Sequence, residues 1–191
     1  YFNRAFKKAE KGDDVGAIVD YTKGIEVDPK DPLAYFNRAI SRKNLEDYSG
    51  AIADYTKAIE LDPEDVDAYY NRANSKDNLE DYSGAIADYT EAIELDPDYV
   101  NAYINRGLLK GNLEDYSGAI SDFTQAIEVD PREALAYYNR GIIKDNLEDY
   151  SGAIVDYTKA IEINPNFEKA YANRGFAKTN LKDYEGAIAD Y

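Results

Sequence analysis

The chain has 191 residues, 44% hydrophobic and 31% charged, with 38 Asp plus Glu against 22 Lys plus Arg and a net charge of −16. That is enough apolar material for a core, and too acidic a surface to attract nucleic acid or anionic lipid. Cys, His, Met and Trp are all absent, which excludes disulfides, thiol nucleophiles, histidine bases and soft metal sites, and no apolar run is long enough to span a bilayer.

Pro29, Pro63, Pro97, Pro131 and Pro165 stand 34 residues apart, and the sequences around them superimpose without a gap. With that proline at position 32 of its unit, the chain divides into units 1–31, 32–65, 66–99, 100–133, 134–167 and 168–191, the first and last incomplete. A period of this length marks stacked supersecondary units, so residues 1–191 are expected to form one solenoid domain.

In chain order, Asp13 is placed to cap the second helix of the first unit, a role repeated at Asp47, Asp81, Asp115, Asp149 and Asp183. Asp31 and Pro32 read as an N-cap followed by a first-turn proline. In the third unit the pattern predicts helix A over 67–79 and helix B over 82–95. Tyr82, Ala85, Ile86, Tyr89, Ala92 and Ile93 form a continuous apolar stripe at helical period along helix B. The Asp-Pro pairs at 62–63, 96–97 and 130–131 end the B helices.

Small residues recur where the helices must cross: Ala51, Ala85, Ala119, Ala153 and Ala187 in helix B, and Ala39, Ala73, Gly107, Gly141 and Gly175 in helix A. Anything larger than a methyl group is expected to push the axes apart. Gly50, Gly84 and their equivalents near the start of each helix B weaken the helix, a cost that close backbone contact would offset. One hairpin covers only one side of itself, so stacking is obligatory.

Tyr69, Ala73, Ala85, Tyr89, Ala92 and Pro97, repeated as Tyr103, Gly107, Ala119, Phe123, Ala126 and Pro131, resemble the tetratricopeptide repeat pattern. Tyr48, Tyr82, Tyr116, Tyr150 and Tyr184 match the family's tyrosine at the start of helix B. The resemblance covers the whole chain and implies an all-α, right-handed α–α superhelix with A helices lining the concave face. It also implies a module or scaffold that binds an extended peptide or helix, with no catalytic activity and no cofactor. The departures are regular. Arg38, Arg72, Arg106 and Arg140 replace the family's leucine, Arg42, Lys76, Lys110 and Lys144 replace an aromatic, and Asp54, Asp88, Asp122 and Asp156 appear in helix B. They read as an Arg–Asp ladder within or between units, the alternatives being a solvated charge pattern or a binding role.

Asn3, Asn37, Asn71, Asn105, Asn139 and Asn173 hold one position in every helix A. An amide both donates and accepts, so such a row either grips a peptide backbone, as in the superhelical family members whose asparagine ladder it resembles, or bonds neighbouring helices and water. Beside it lie Phe36, Tyr70, Ile104 and Tyr138, with Asn74, Leu108 and Ile142 one turn on. These read either as a contact surface or as filler between A helices. Asp77 and Asp145 add acidity and Lys43 opposes it, so the expected partner is a protein or peptide with apolar and basic residues, with no nucleic acid and no direct membrane binding. The lysines of the carboxylate-clamp subclass are missing at Phe2, Phe36 and Tyr70, which disfavours acidic chaperone tails. Two other readings stay open: self-assembly into homo-oligomers through the end repeats, and service as the non-catalytic recognition domain of a larger enzyme.

Overall fold

The computed structural model describes residues 1–191, which form helices joined by short turns and two compact units, Tyr1–Pro97 and Asp98–Tyr191. The first unit holds α1 (Phe2–Ala9), α2 (Asp14–Val27), α3 (Pro32–Asn44), α4 (Tyr48–Leu61), α5 (Val66–Asn78) and α6 (Tyr82–Leu95). The second holds α7 (Val100–Asn112), α8 (Tyr116–Val129), α9 (Ala134–Asn146), α10 (Tyr150–Ile163), α11 (Glu168–Asn180) and α12 (Tyr184–Asp190). Odd-numbered helices are the A helices and even-numbered ones the B helices, and α5 and α6 fall within one residue of the expected spans.

Each A helix ends on a residue in the left-handed region: Gly12 at φ 77° in the first repeat, then Glu46, Glu80, Glu114, Glu148 and Lys182 at φ 60–66°. The Glu46 N–H donates to the Lys43 carbonyl and the Asp47 N–H to the Arg42 carbonyl, both at 2.9 Å, which satisfies two terminal carbonyls of α3 in a Schellman turn. Asp47 then opens the next helix, its side chain accepting from the Gly50 N–H at 3.0 Å. Asp81 does the same for Gly84 at 3.0 Å. The recurrent glycine serves this cap. A Cβ on Gly50 or Gly84 would lie 2.1 or 2.2 Å from the capping carboxylate oxygen, so the glycine makes room for its cap, while its carbonyl also accepts from an A-helix cation, Arg42 at 3.0 Å from Gly50 and Lys76 at 3.4 Å from Gly84.

Within a hairpin the axes meet through methyl groups. Ala5, Ala17 and Tyr21 form one buried cluster and Ala39, Ala51 and Tyr55 another. Successive hairpins join through Ala58, Ile59 and Ala68 in the first unit and Ala160, Ile161 and Ala170 in the second. In the second unit the B-helix ring has closed up further. A Cβ on Gly107 would sit 2.9 Å from Phe123, and one on Gly141 would sit 2.7 Å from Tyr157. Even a methyl group is too large at these two crossings, a tighter limit than the sequence argument set.

The Arg–Asp pairs lie between the A and B helices. Arg38 holds Asp54 with Nε at 2.8 Å and Nη2 at 2.6 Å, and Arg42 reaches the same carboxylate at 2.9 Å. The remaining Nη1 of Arg38 donates at 3.0 Å to Thr22 of the preceding B helix. Arg72, Lys76 and Asp88 repeat the arrangement with Thr56, and Arg140, Lys144 and Asp156 repeat it with Thr124. The ladder therefore works within a repeat through aspartate and between repeats through threonine. Each guanidinium also lies over the first A-helix tyrosine, Arg38 being 5.6 Å from the Tyr35 ring centroid. Hydrogen bonds from Arg4 and Lys8 hold the Asp20 carboxyl well below the usual carboxylate range. Burial pushes Asp190 up, but bonds from Arg174 and Lys178 outweigh it and leave its pKa lowered.

Two stability experiments follow from this framework. Asp81→Ala is expected to cost about 1 kcal/mol through loss of the cap. Gly84→Ala made in that background restores about 1 kcal/mol of helix propensity, and made alone it gains less. Urea unfolding of the four members of this cycle checks the steric link, which equal gains in both backgrounds would refute. Asp88→Ala strands two cations and is expected to cost about 3–5 kcal/mol, whereas Arg72→Leu, Lys76→Leu and Asp88→Leu together leave stability unchanged or raise it by about 1–4 kcal/mol.

Candidate functional site

Because Arg38, Arg42 and Ala39 of α3 face the B helices, the opposite face of the same helix presents Asn37, while Ile40 lies at its flank, packed against Ala39, Ala51 and Tyr55. The amides there are partly engaged. Asn37 Nδ2 donates to the Leu33 carbonyl and Asn71 Nδ2 to the Asp67 carbonyl, both at 2.8 Å and one turn back along the helix. Asn71 Oδ1 accepts from Lys43 at 2.8 Å. In the second unit Asn173 Nδ2 donates to the Tyr138 hydroxyl at 3.2 Å. An amide carries two N–H donors and an oxygen with two lone pairs, so Asn37 and Asn71 each keep hydrogen-bonding capacity after these bonds. Asn105 lies half-buried at the same position of α7.

The apolar neighbours of the ladder lean on the B helices. Phe36 meets Tyr55 edge-on with centroids 5.7 Å apart, Tyr70 tilts against Tyr89 at 5.8 Å, and Tyr138 lies 5.9 Å from Tyr157 and 4.7 Å from Phe167. Ile104 is 6% exposed. These side chains pack onto the B helices of their own units, with little of Ile104 left to touch a partner. One turn on, Asn74 Oδ1 accepts from the Tyr89 hydroxyl at 2.6 Å, Ile142 is half-buried and Leu108 is exposed.

Sequence profiles described as tetratricopeptide repeat match residues 20–53, 66–99, 100–133, 134–167 and 156–189, and one described as TPR repeat matches residues 42–76. The chain belongs to the tetratricopeptide repeat family. Repeats of this family generally act as protein–protein interaction modules and are typically non-catalytic. Among solved structures, one of MamA is 25% identical over 88% of this chain and 99% of that chain, with a TM-score of 0.83. A tetratricopeptide repeat protein from Parabacteroides merdae is 23% identical over 99% of this chain and 75% of that one, at a TM-score of 0.83. YrrB, described as a TPR protein with an unusual peptide-binding site, is 24% identical over 89% of this chain and 88% of that one, at 0.75. These likenesses support the all-α superhelical repeat class. A search of curated proteins by sequence gave no match.

One feature of these tetratricopeptide repeats is not evident from the repeat pattern: the hydroxyl of the central B-helix ring is satisfied differently from repeat to repeat, by Asn74 itself in the third and elsewhere according to the residue three beyond Ile40, Leu108 or Ile142. In the fifth repeat it is Asp145, which accepts from the Tyr157 hydroxyl at 2.7 Å. In the second it is Lys43, which donates to Asn71, and the Tyr55 hydroxyl is left buried without a partner. In the fourth the residue is Gly111 and the ring is Phe123, so neither group exists, and a hollow of about 200 Å³ opens beside Leu108 and Ile142. The signal was present as the joint appearance of Gly111 and Phe123 in one repeat. A larger, open hollow of about 460 Å³ lies on the other side of α9, beside Arg140 and Asp156. Those two are spent on each other.

Burial raises the pKa of Asp145, and the hydrogen bond from Tyr157 only partly offsets it. The fold thus favours the protonated acid, so this group adds stability as pH falls toward and through its raised pKa. Asp190 has the opposite sign: its lowered pKa means that stability present above the unfolded value is lost as pH falls through the folded one. Carboxyl ¹³C titration is expected to show Asp145 protonating above, and Asp190 below, the ordinary aspartate value of about 3.9.

Proposed function

We propose that the chain binds an extended polypeptide segment along the A-helix faces turned away from the B helices. Asn37, Asn71, Asn105, Asn139 and Asn173 engage its main chain. Phe36, Tyr70, Ile104 and Tyr138 back these amides, and Asn74, Leu108 and Ile142 meet its side chains. The observation that carries this reading is the division of labour on each A helix. On α3, Arg38 and Arg42 turn inward and are spent on Asp54, while Asn37 on the other face keeps unused hydrogen-bonding capacity and Lys43 reaches Asn71 of the next A helix. The 34-residue period runs through residues 97–98 without a break, which supports treating residues 1–191 as one solenoid domain.

The chemistry of the partner follows from charge. Each network holds two cations against one carboxylate, so the rest of the chain is more acidic than a net charge of −16 alone conveys. Such a surface attracts a segment with basic residues among apolar ones. Replacing Asn71, Asn105 and Asn139 by alanine is expected to weaken capture of such a segment at least tenfold, since each lost hydrogen bond is worth about 0.5–1.5 kcal/mol. Fluorescence anisotropy with a labelled Lys- and Leu-rich peptide reads the change. Unaltered affinity would move the site off this face, and a mass that rises with concentration would favour self-assembly.

A further inference from the structure

The fourth repeat differs from its neighbours at the place where a ligand side chain would enter. In the fifth repeat the space beside the central B-helix ring is occupied by the Asp145 carboxylate and the Tyr157 hydroxyl, 2.7 Å apart. In the third the Tyr89 hydroxyl is taken up by Asn74 at 2.6 Å. The fourth has Gly111, which brings no side chain, and Phe123, which brings no hydroxyl. What remains is a hollow of about 200 Å³ with Leu108, Phe123, Ile142 and Ile143 in its walls. A Cβ on Gly111 would lie 2.8 Å from the Ile143 δ-methyl, so the wall has closed onto bare backbone there. Amides of Asn112, Asn139 and Asn146 also line the hollow. Asn139, unlike Asn37, Asn71 and Asn173, makes no side-chain hydrogen bond within the chain.

We propose that this hollow is a specificity pocket taking one bulky apolar side chain, phenylalanine or leucine, from an extended segment with basic flanks. Asn112, Asn139 and Asn146 pair with the main chain on either side of that residue. The proposal rests on the inner-face reading above and adds to it a single anchor position. A dry cavity of about 150 Å³ lined by aliphatic and aromatic groups holds benzene, so the hollow is large enough for a phenyl or isobutyl group. Water gains little there from its apolar walls, and an amide-ringed apolar hollow is the usual form of a side-chain subsite. Basic flanks follow from the net charge of −16 and the inward placement of the A-helix cations.

The test uses two synthetic peptides, acetyl-Lys-Lys-Ala-Phe-Ala-Lys-Lys-amide and the same peptide with alanine at the centre, titrated into the whole chain with methyl NMR detection at Ile142, Ile143 and Leu108. The phenylalanine peptide is expected to bind at least about tenfold more tightly, the yield of burying one aromatic side chain, and to shift all three methyl signals. Gly111→Asp with Phe123→Tyr and Ile143→Ala installs the side chains found one repeat further on, Asp145 and Tyr157 in the fifth repeat and Ala177 in the sixth. This filled variant is expected to bind both peptides alike, at the affinity of the alanine peptide. Leu108→Asn, at a position 39% exposed, weakens the phenylalanine preference without burdening the core. Equal affinities for the two peptides, both lost on replacing Asn71 and Asn139 by alanine, would overturn the pocket and leave the ladder standing. Failure of both peptides to bind would overturn both readings. Methyl shifts with benzene but no preference between peptides would make the hollow a small-molecule cavity and overturn the proposal as well.

Discussion

A two-helix hairpin whose B helix is apolar on two sides has to be covered twice, once by its own A helix and once by the A helix of the next repeat. This requirement governs each unit. Ala39, Ala51 and Tyr55 close the contact within a hairpin, and Ala58, Ile59 and Ala68 close the contact to its successor. The first contact is built from two methyl groups and one large ring, the second from Ala58, Ile59 and Ala68 with Tyr35, Phe36 and Tyr69 packed against them, so the interhelical distance is short and sensitive to a single added carbon. Gly107 and Gly141 show the limit, since the ring there rests almost on the A-helix backbone. Contacts of this kind are local in sequence, which suits a chain that folds by adding one hairpin to another.

Methyl groups pack in many registers, and the buried carboxylates select one. Asp54, Asp88, Asp122 and Asp156 are at most 4% exposed, and each needs its arginine and second cation at a fixed height along the A helix. The threonine bond from the same guanidinium carries that height to the preceding B helix. Such networks add little net stability against apolar replacements of the same volume, while a broken one is costly. Their more distinctive effect lies on the other side of the helix. With Arg38 and Arg42 and their equivalents turned inward, the amides of the A helices are left on the other side.

That face is uneven in a useful way. The repeats share their frame and differ at one position of the last A-helix turn: Lys43 in one, Asp77 and Asp145 in others, Gly111 in a fourth. Burial lowers the pKa of Lys43 and raises those of Asp77 and Asp145, so these groups sit in partly desolvated surroundings where exchanging one for another changes local polarity strongly. A family that binds proteins through a common scaffold can vary its partners by such exchanges, with the frame left untouched.

The period, the helix positions, the aspartate caps and the existence of an Arg–Asp ladder were all set by local sequence, because each depends on spacing within 34 residues or on backbone chemistry near a helix end. The tertiary structure decided matters that depend on which atoms meet. The glycine near the start of each B helix makes room for its own cap, Glu46 and Glu80 accept left-handed backbone so that the turn stays short, and Ile104 is buried beside an amide row that is otherwise half-exposed. The hollow at Gly111 and Phe123 was written in the sequence as two substitutions 12 residues apart, but emptiness is a property of three-dimensional packing. No residue letter records space that its neighbours fail to fill.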